Sequence, residues 1–158
     1  MVHVTCLAHG LHRTCEETRE MHPAVNSLIS HVKKVFCKAL SRIQLFYSKL
    51  PTILLPPQPG ITKSGSWLKA AFYYTNNYED VRKIVCSLEP DDVACIRAAQ
   101  NCFKVPTLKN ELSYIKANFP FLVDPIAKLE GRFSLFDSVR IVRNVLVAVE
   151  NVPSSQKK

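Results

Sequence analysis

Histidine and cysteine recur at every third position near the start of the chain. Five such residues lie in the segment "HVTCLAHGLHRTC": His3, Cys6, His9, His12 and Cys15. Imidazole and thiolate are ligands that structural Zn²⁺ prefers. In a helix, however, a three-residue step turns each successive side chain back by about 60°, so only neighbours could share an ion. Since no second Cys-x-x-Cys or His-x-x-His pair follows, the sequence predicts no metal site.

Catalytic groups are equally hard to assign. Cys6 and a nearby histidine are close in sequence, but this does not establish the hydrogen-bonded pair that a thiolate nucleophile requires. The acidic segment "EPDD", residues 89–92, is typical of a turn followed by a helix cap rather than of a Mg²⁺ site. We therefore predict no catalytic residue, no cofactor and no small-molecule substrate. In this interpretation Cys6 is a core residue and His9 a satisfied polar one.

Basic and aromatic side chains suggest contact with nucleic acid. The candidates are Lys33, Lys34, Lys38, Arg42, Lys63, Trp67 and Lys69. The first four lie opposite the apolar stripe of a helix, and the last three mix cations with an aromatic ring, as single-strand binders do. The alternative is that the basic ridge is only solvated and that Trp67 packs in the core with Ala70, Ala71 and Tyr74.

Composition sets the wider limits. The 158 residues fit one domain, and 47% hydrophobic content can fill its core. The net charge of +8 favours a polyanionic partner, and the excess of Lys and Arg is greatest in residues 1–60. No secretory pattern follows Met1 and no apolar run reaches about 20 residues, so we expect reduced cysteines, no membrane contact and a nuclear or cytoplasmic location.

Periodicity predicts a mostly α chain with about seven helices and one short strand over residues 2–5. A continuous three-and-four spacing predicts one helix from Val25 to the vicinity of Pro51. The segment "PTILLPPQPGITKSGS" reads as a stiff connector with buried Ile53, Leu54 and Leu55. Further helices are expected after Ser64 or Ser66, Asn76 or Asn77, Asp91, Thr107 and Ser134, with a break at Pro120. In the last helix Val139, Val142, Leu146 and Val149 form the apolar pattern.

Four segments together resemble the middle of hAT-superfamily transposases and their domesticated relatives, which include proteins similar to the CGG-triplet-repeat-binding group. They are "HVTCLAHGLHR", "VNSLISHVKKVFCKALSRIQLF", "LPPQPGITKSGSWLKAAFYYTNNYEDV" and "LSYIKANFPFLVDPIAKLE". The resemblance implies a partial transposase-like region over 1–150. Within it, residues 1–50 are a remnant of an RNase H-like core, 51–66 the proline-rich connector and 67–150 a helical insertion. Residues 151–158 form a flexible tail.

The same resemblance implies that catalysis has been lost. Family members bind divalent metal through two aspartates and a glutamate, and a Cys-x-x-His landmark, here Cys6 and His9, follows the second aspartate. Neither aspartate is expected within this sequence, and no third ligand can be assigned, so metal-assisted phosphoryl transfer is not expected. The family pattern Thr-Arg-Trp-Gly-Thr-Trp reads "TKSGSW" here, where Ser64 replaces a DNA-proximal tryptophan and Lys63 an arginine.

The leading hypothesis is thus a catalytically inactive hAT-transposase-derived fragment that binds nucleic acid weakly through its basic surface. One alternative is a protein–protein interaction module that uses an unpaired strand edge at residues 2–5. Another is a truncated gene product without a selected function.

Overall fold

Helices make up most of the structure, which is a computed structural model describing residues 7–59, 64–90, 93–129 and 134–153. The helices are α1 (Leu7–Met21), α2 (Pro23–Phe36), α3 (Leu40–Lys49), α4 (Ser64–Ser87), α5 (Ala94–Cys102), α6 (Leu108–Asn118), α7 (Val123–Leu129) and α8 (Leu135–Glu150), with a 3₁₀ turn at Pro120–Leu122. The prediction of a mostly helical chain is confirmed. The predicted strand at 2–5 lies outside the described residues, and the described ranges contain no strand.

The predicted long helix from Val25 onwards is in fact two helices, so that prediction is wrong. The chain breaks between Phe36 and Leu40, where Lys38 adopts a left-handed φ of 53°. In one straight helix Phe36 and Phe46 would lie about 15 Å apart. The break folds α3 back so that their rings meet edge to face at 5.4 Å, and both are buried. Burial of two aromatic rings therefore overrides the local periodicity.

The central helix α4 carries a kink where the sequence predicts one helix ending and another beginning. Asn77 has non-helical angles (φ −117°, ψ 22°), and its side-chain amide donates to the carbonyl of Tyr73 at 2.9 Å. An Asn side chain that satisfies a helical carbonyl in this way is a common source of a local break. The predicted boundary is right, but the two halves remain one continuous run.

Later boundaries follow their local signals closely. Ser134 caps α8 by accepting from the Asp137 backbone N–H at 3.1 Å, as the predicted capping box requires. Pro120 ends α6 and opens the 3₁₀ turn before α7. The predicted start of α5 at Asp91 lies outside the described residues, and the helix begins at Ala94.

Two helix pairs form most of the core. α2 packs chiefly on α5 and α4 chiefly on α6, while α1 contacts α2, α4, α7 and α8. Both central helices contribute fully buried side chains: Val25, Leu28, Val32 and Val35 from α2, and Leu68, Ala70, Ala71, Tyr74, Val81 and Val85 from α4. The interpretation of Ala70, Ala71 and Tyr74 as core residues is confirmed.

The connector between α3 and α4 is held by side chains from the helices beneath it. Tyr73 Oη donates to the carbonyl of Leu54 at 2.6 Å, and Lys33 Nζ donates to the carbonyl of Pro59 at 3.1 Å. Ile53 and Leu55 are half-buried, but Leu54 is 77% exposed, so its predicted burial is wrong. Leu54 faces outward while its carbonyl is held inward.

Candidate nucleic-acid interface

A cleft opens where the end of α1, the outer side of α2, the connector and the start of α4 meet. It has a volume of about 140 Å³ and is lined by Arg19, Asn26, Ile29, Ser30, Lys33, Pro59 and Trp67. We call it the α1–α2 cleft. It places two cations beside a hydroxyl and a side-chain amide, which is a donor set suited to an anion.

Arg19 is fixed on one side of this cleft. It sits in the last turn of α1, where a cation is favoured by the helix dipole. Its Nε donates to Asn26 Oδ1 at 2.8 Å, and its Nη1 lies 3.4 Å from Glu16 Oε2. An arginine has five N–H donors, so others remain for a ligand. These contacts restrict the guanidinium before any ligand arrives.

Lys33 lines the other side of the α1–α2 cleft and is held in place there. Its ammonium donates to the Pro59 carbonyl, and the residue is half-buried rather than part of a solvated ridge. Two of its three N–H donors remain available for an anion. Lys33 thus joins α2 to the connector and at the same time supplies positive charge to the cleft.

The remaining cations of the predicted ridge divide into two kinds. Lys34 and Lys38 are exposed, the first in the last turn of α2 and the second just beyond its end. Arg42 instead donates from Nε to the carbonyl of Val35 at 2.6 Å, satisfying a carbonyl at the open end of α2. The structure therefore brings Lys33, Lys34 and Lys38 to one end of α2, whereas Arg42 has a structural contact.

Trp67 forms part of the cleft wall but is only 4% exposed. Its indole N–H is buried and has no hydrogen-bond partner within the described ranges. A ring this enclosed cannot offer its face to a base, so its position favours a packing role. Lys69 is exposed on α4, and Lys63 lies outside the described residues.

The neighbouring glycine of the "TKSGSW" segment also has a packing role. Gly65 is buried, and a Cβ built there would lie 3.2 Å from Ile126 Cγ2 of α7. A larger residue would have to push α7 away from the start of α4. This part of the segment is therefore constrained by helix–helix contact.

A cysteine and a histidine that the sequence did not pair do meet in the fold. Cys102 Sγ lies 3.8 Å from His31 Nδ1, but that nitrogen is 2.8 Å from the carbonyl of Ser27. A contact this short to a carbonyl requires Nδ1 to carry the proton, so Nδ1 cannot also accept one from the thiol. Burial raises the pKa of the Cys102 thiol. The pair is therefore not arranged as a nucleophile and base.

A second histidine pair is structural. His22 is buried, with Nδ1 3.5 Å from Glu111 Oε2, and its ring lies 5.7 Å from that of Tyr114. Its Nε2 is shielded from solvent and has no partner in the described part of the chain. A substrate proton could not reach this nitrogen, so the pair ties the α1–α2 junction to α6.

The predicted landmark pair stays a prediction. Cys6 lies outside the described residues, and only the backbone of His9, in α1, is described. Across the described ranges, no three or more His, Cys, Asp or Glu side chains cluster in a way that could hold a metal ion.

Arg19, Asn26 and Ser30 were missed by sequence reasoning, which considered only the basic ridge and the aromatic segment. No local signal marks them, because the cleft forms from residues up to 48 positions apart, Arg19 and Trp67.

Comparisons with protein-family models, curated proteins and solved structures return no match for this chain. Considering only the described residues, none of the helices has the length and apolarity needed to cross a membrane.

Proposed function

We propose that this chain is a catalytically inactive, hAT-transposase-derived protein, with a remnant of an RNase H-like core, that binds nucleic acid weakly through phosphate contacts. The observation that carries the proposal is the α1–α2 cleft, where Arg19 and Lys33 are held in place by Asn26 and by the Pro59 carbonyl. Preorganised cations lose little side-chain entropy when an anion binds.

The cleft has the size and chemistry for one phosphate group. The cleft offers about 140 Å³, well above the roughly 10–15 Å³ that a cavity needs to hold one water molecule, so a small polyatomic anion has room there. The remaining N–H donors of Arg19 and Lys33 and the hydroxyl of Ser30 suit phosphate oxygens. Neighbouring phosphates of the same strand would then contact Lys34 and Lys38, which are exposed.

Recognition in this form is independent of base sequence. The proposed contacts all involve cations and polar groups directed at phosphate, and such contacts position a nucleic acid without reading it. Trp67 is too enclosed to stack on a base. We therefore expect low affinity and a strong dependence on salt.

The test is a fluorescence-anisotropy titration of labelled duplex DNA, single-stranded DNA and single-stranded RNA over a series of salt concentrations. For duplex DNA, each phosphate contact contributes about 0.9 to the slope of log K against log salt. The double variant Lys34→Gln/Lys38→Gln and the single variant Arg19→Gln should weaken binding and make this slope shallower.

The matched control is Lys104→Gln/Lys128→Gln, which removes the same charge from exposed positions after α5 and on α7. It should leave the slope almost unchanged. Absence of binding at low salt would contradict the proposal. An equal loss in the control would show that net charge, and not this face, governs binding.

Two further measurements address inactivity and descent. Incubation of supercoiled plasmid with the protein and Mg²⁺ or Mn²⁺ should give no nicked product, and nicking that depends on the metal would contradict the proposed inactivity. For descent, an in-frame Asp-Asn segment in the genomic sequence upstream of Met1 would mean that the chain is part of a longer transposase-like protein.

A further inference from the structure

The α1–α2 cleft lies along one face of α2. Its lining residues from that helix recur with the i, i+3, i+4 and i+7 spacing of a single face: Asn26, Ile29, Ser30 and Lys33. Asn26 and Lys33 are therefore two helical turns apart, which is about 10 Å along the helix axis. Ser30 lies between them and is exposed. The cleft is thus short, and Asn26 and Lys33 mark its two ends.

Side-chain hydrogen bonds close both of these ends. At one end Arg19 of α1 donates from Nε to Asn26 Oδ1 at 2.8 Å, which joins α1 to α2. At the other end Lys33 donates from Nζ to the Pro59 carbonyl at 3.1 Å, which joins α2 to the connector. A ligand therefore enters from the solvent side, next to Ser30, and cannot pass through the cleft from end to end.

The cleft also reaches below the protein surface. Ile29 and Trp67 both line it, although they are only 2% and 4% exposed. A phosphate inside an unbroken strand carries a sugar on each side, so it could enter only if both sugars turned outward at the same opening. A phosphate at the end of a strand has one sugar and projects beyond it. The shape of the cleft therefore favours a terminal phosphate.

Charge and donors favour the same group. A phosphate monoester carries a charge of about −1.5 to −2 at pH 7, whereas each phosphate inside a strand carries a single charge. Arg19 and Lys33 supply two positive charges, of which the Glu16 carboxylate, 3.4 Å from Arg19 Nη1, offsets a part. The remaining N–H donors of these two cations and the Ser30 hydroxyl give one donor group for each unesterified oxygen of a monoester.

We propose that the α1–α2 cleft holds the terminal phosphate monoester of a nucleic-acid strand, so that the protein binds strand ends in preference to strand interiors. This inference rests on the proposed nucleic-acid binding and adds the chemical group that the cleft selects. The strand leaves through the single opening, and its next phosphates contact Lys34 and Lys38, which are exposed at the end of α2 and just beyond it.

The first experiment compares three single-stranded oligonucleotides of one sequence, labelled on an internal base. One carries a 5′-phosphate, one a 3′-phosphate and one neither. Fluorescence anisotropy at low salt should show about tenfold tighter binding for a phosphorylated end, since its contacts are charged hydrogen bonds. Equal affinity for the three strands would overturn this inference and leave the proposed function intact. Absence of binding by all three would contradict both.

The second experiment fills the cleft with a carboxylate. Ser30→Glu places a negative charge between Arg19 and Lys33, so the preference for a phosphorylated end should disappear. The matched control is Ser113→Glu, the same change at an exposed position of α6, and it should keep the preference. Circular dichroism should show that both variants stay helical. A preference that survives Ser30→Glu would mean that the terminal phosphate binds elsewhere, and would overturn the proposal.

The third experiment uses Trp67, the single tryptophan of the chain, as a probe in the cleft wall. A phosphorylated strand should change its emission. Inorganic phosphate should do so only at much higher concentration, because it makes no contact with Lys34 and Lys38. Inorganic phosphate that binds as tightly as the strand would assign the cleft to a free anion and overturn the proposal. An equal response to dimethyl phosphate, a diester, would overturn the selection of a monoester.

Discussion

Helices α2 and α8 are similar in length and both amphipathic, but they use their apolar side chains in opposite ways. α2 buries six of them against the rest of the core, and on its other side only Pro23, Ser30 and Lys34 are exposed. α8 buries Val145 and leaves four large apolar residues outside: Phe136, Val139, Leu146 and Val147. The difference shows that a helical stripe predicts a buried face only where neighbouring helices surround it. α2 has such neighbours, and α8 is attached at the edge.

The largest expected effect comes from truncating the same residue type in both helices. Leu28→Ala in α2 removes a fully buried side chain and should lower the free energy of unfolding by about 3 kcal/mol. Leu146→Ala in α8 should change it by less than about 0.5 kcal/mol in the monomer. Urea denaturation at low protein concentration measures both. Equal losses would show that α8 is as deeply packed as α2.

A smaller effect is expected at alkaline pH. It should come from buried thiols and phenols, such as Cys15 of α1, and not from the exposed face of α8. Burial of Cys15 raises its thiol pKa from 9.0 to about 12, with Glu16 adding to the shift. The unfolded chain therefore loses this proton first, so stability is complete below pH 9 and falls as pH rises towards 12. We expect a loss on the order of 2 kcal/mol.

Urea denaturation at several alkaline pH values tests this, with Cys15→Ala as the comparison. The variant should show a flatter decline from pH 9 and keep the part of the decline that Cys102 and the tyrosines Tyr73, Tyr74 and Tyr78 produce, because burial also raises the pKa of these groups. α8 contains no cysteine or tyrosine, so variants on its outer face should follow the wild-type curve. An unchanged slope in Cys15→Ala would contradict the assignment.

Arginine contacts should differ in the same sense between the end of α2, where Arg42 of α3 binds the Val35 carbonyl, and the outer face of α8. Arg42→Gln removes a charged donor from the Val35 carbonyl and should cost about 1 kcal/mol. Arg143→Gln removes an arginine that has no side-chain partner in the described part of the chain, and should cost less than about 0.5 kcal/mol. Thermal or urea unfolding of the two variants side by side gives the comparison. A larger loss for Arg143→Gln would indicate an intramolecular contact at that site.

The smallest effect should be a gain at the end of α2. Lys38 has a φ of 53°, which costs a side-chain-bearing residue more than it costs glycine. Lys38→Gly should raise the free energy of unfolding by about 0.5 kcal/mol, the strain relief being partly offset by the entropy of glycine in the unfolded chain. Asn151 closes α8 at a φ of −88°, so Asn151→Gly should bring no gain. Destabilisation by Lys38→Gly would mean that the lysine side chain has a stabilising contact.

Sequence reasoning succeeded where the deciding contacts are local. The Ser134 cap, the boundary at Asn77 and the break at Pro120 each depend on a few neighbouring residues. The inward face of α4 was also predictable, because Trp67, Ala71 and Tyr74 recur with helical spacing.

It failed where the contacts are distant in sequence. Lys38 carries no glycine-like signal, and the break there is stabilised by Phe36 meeting Phe46. The stripe of α8 has the pattern of a buried face, but no helix among the described residues covers it. The α1–α2 cleft combines side chains from α1, α2, the connector and α4, which no single segment could reveal.

The connector has a consequence for how the protein would be degraded. Its Leu54 and Pro59 carbonyls are held by Tyr73 and Lys33, and each of these contacts is a single side-chain bond with no adjacent ladder to replace it. Loss of one phenol or one ammonium charge would weaken the attachment of a segment that already exposes Leu54 and would then be held chiefly by the packing of Ile53, Leu55 and Pro56. A protease that accepts leucine would then find its first site there, while the helices on either side stay intact. Removal of the Lys33 charge, as in Lys33→Gln, should therefore speed limited proteolysis of the connector.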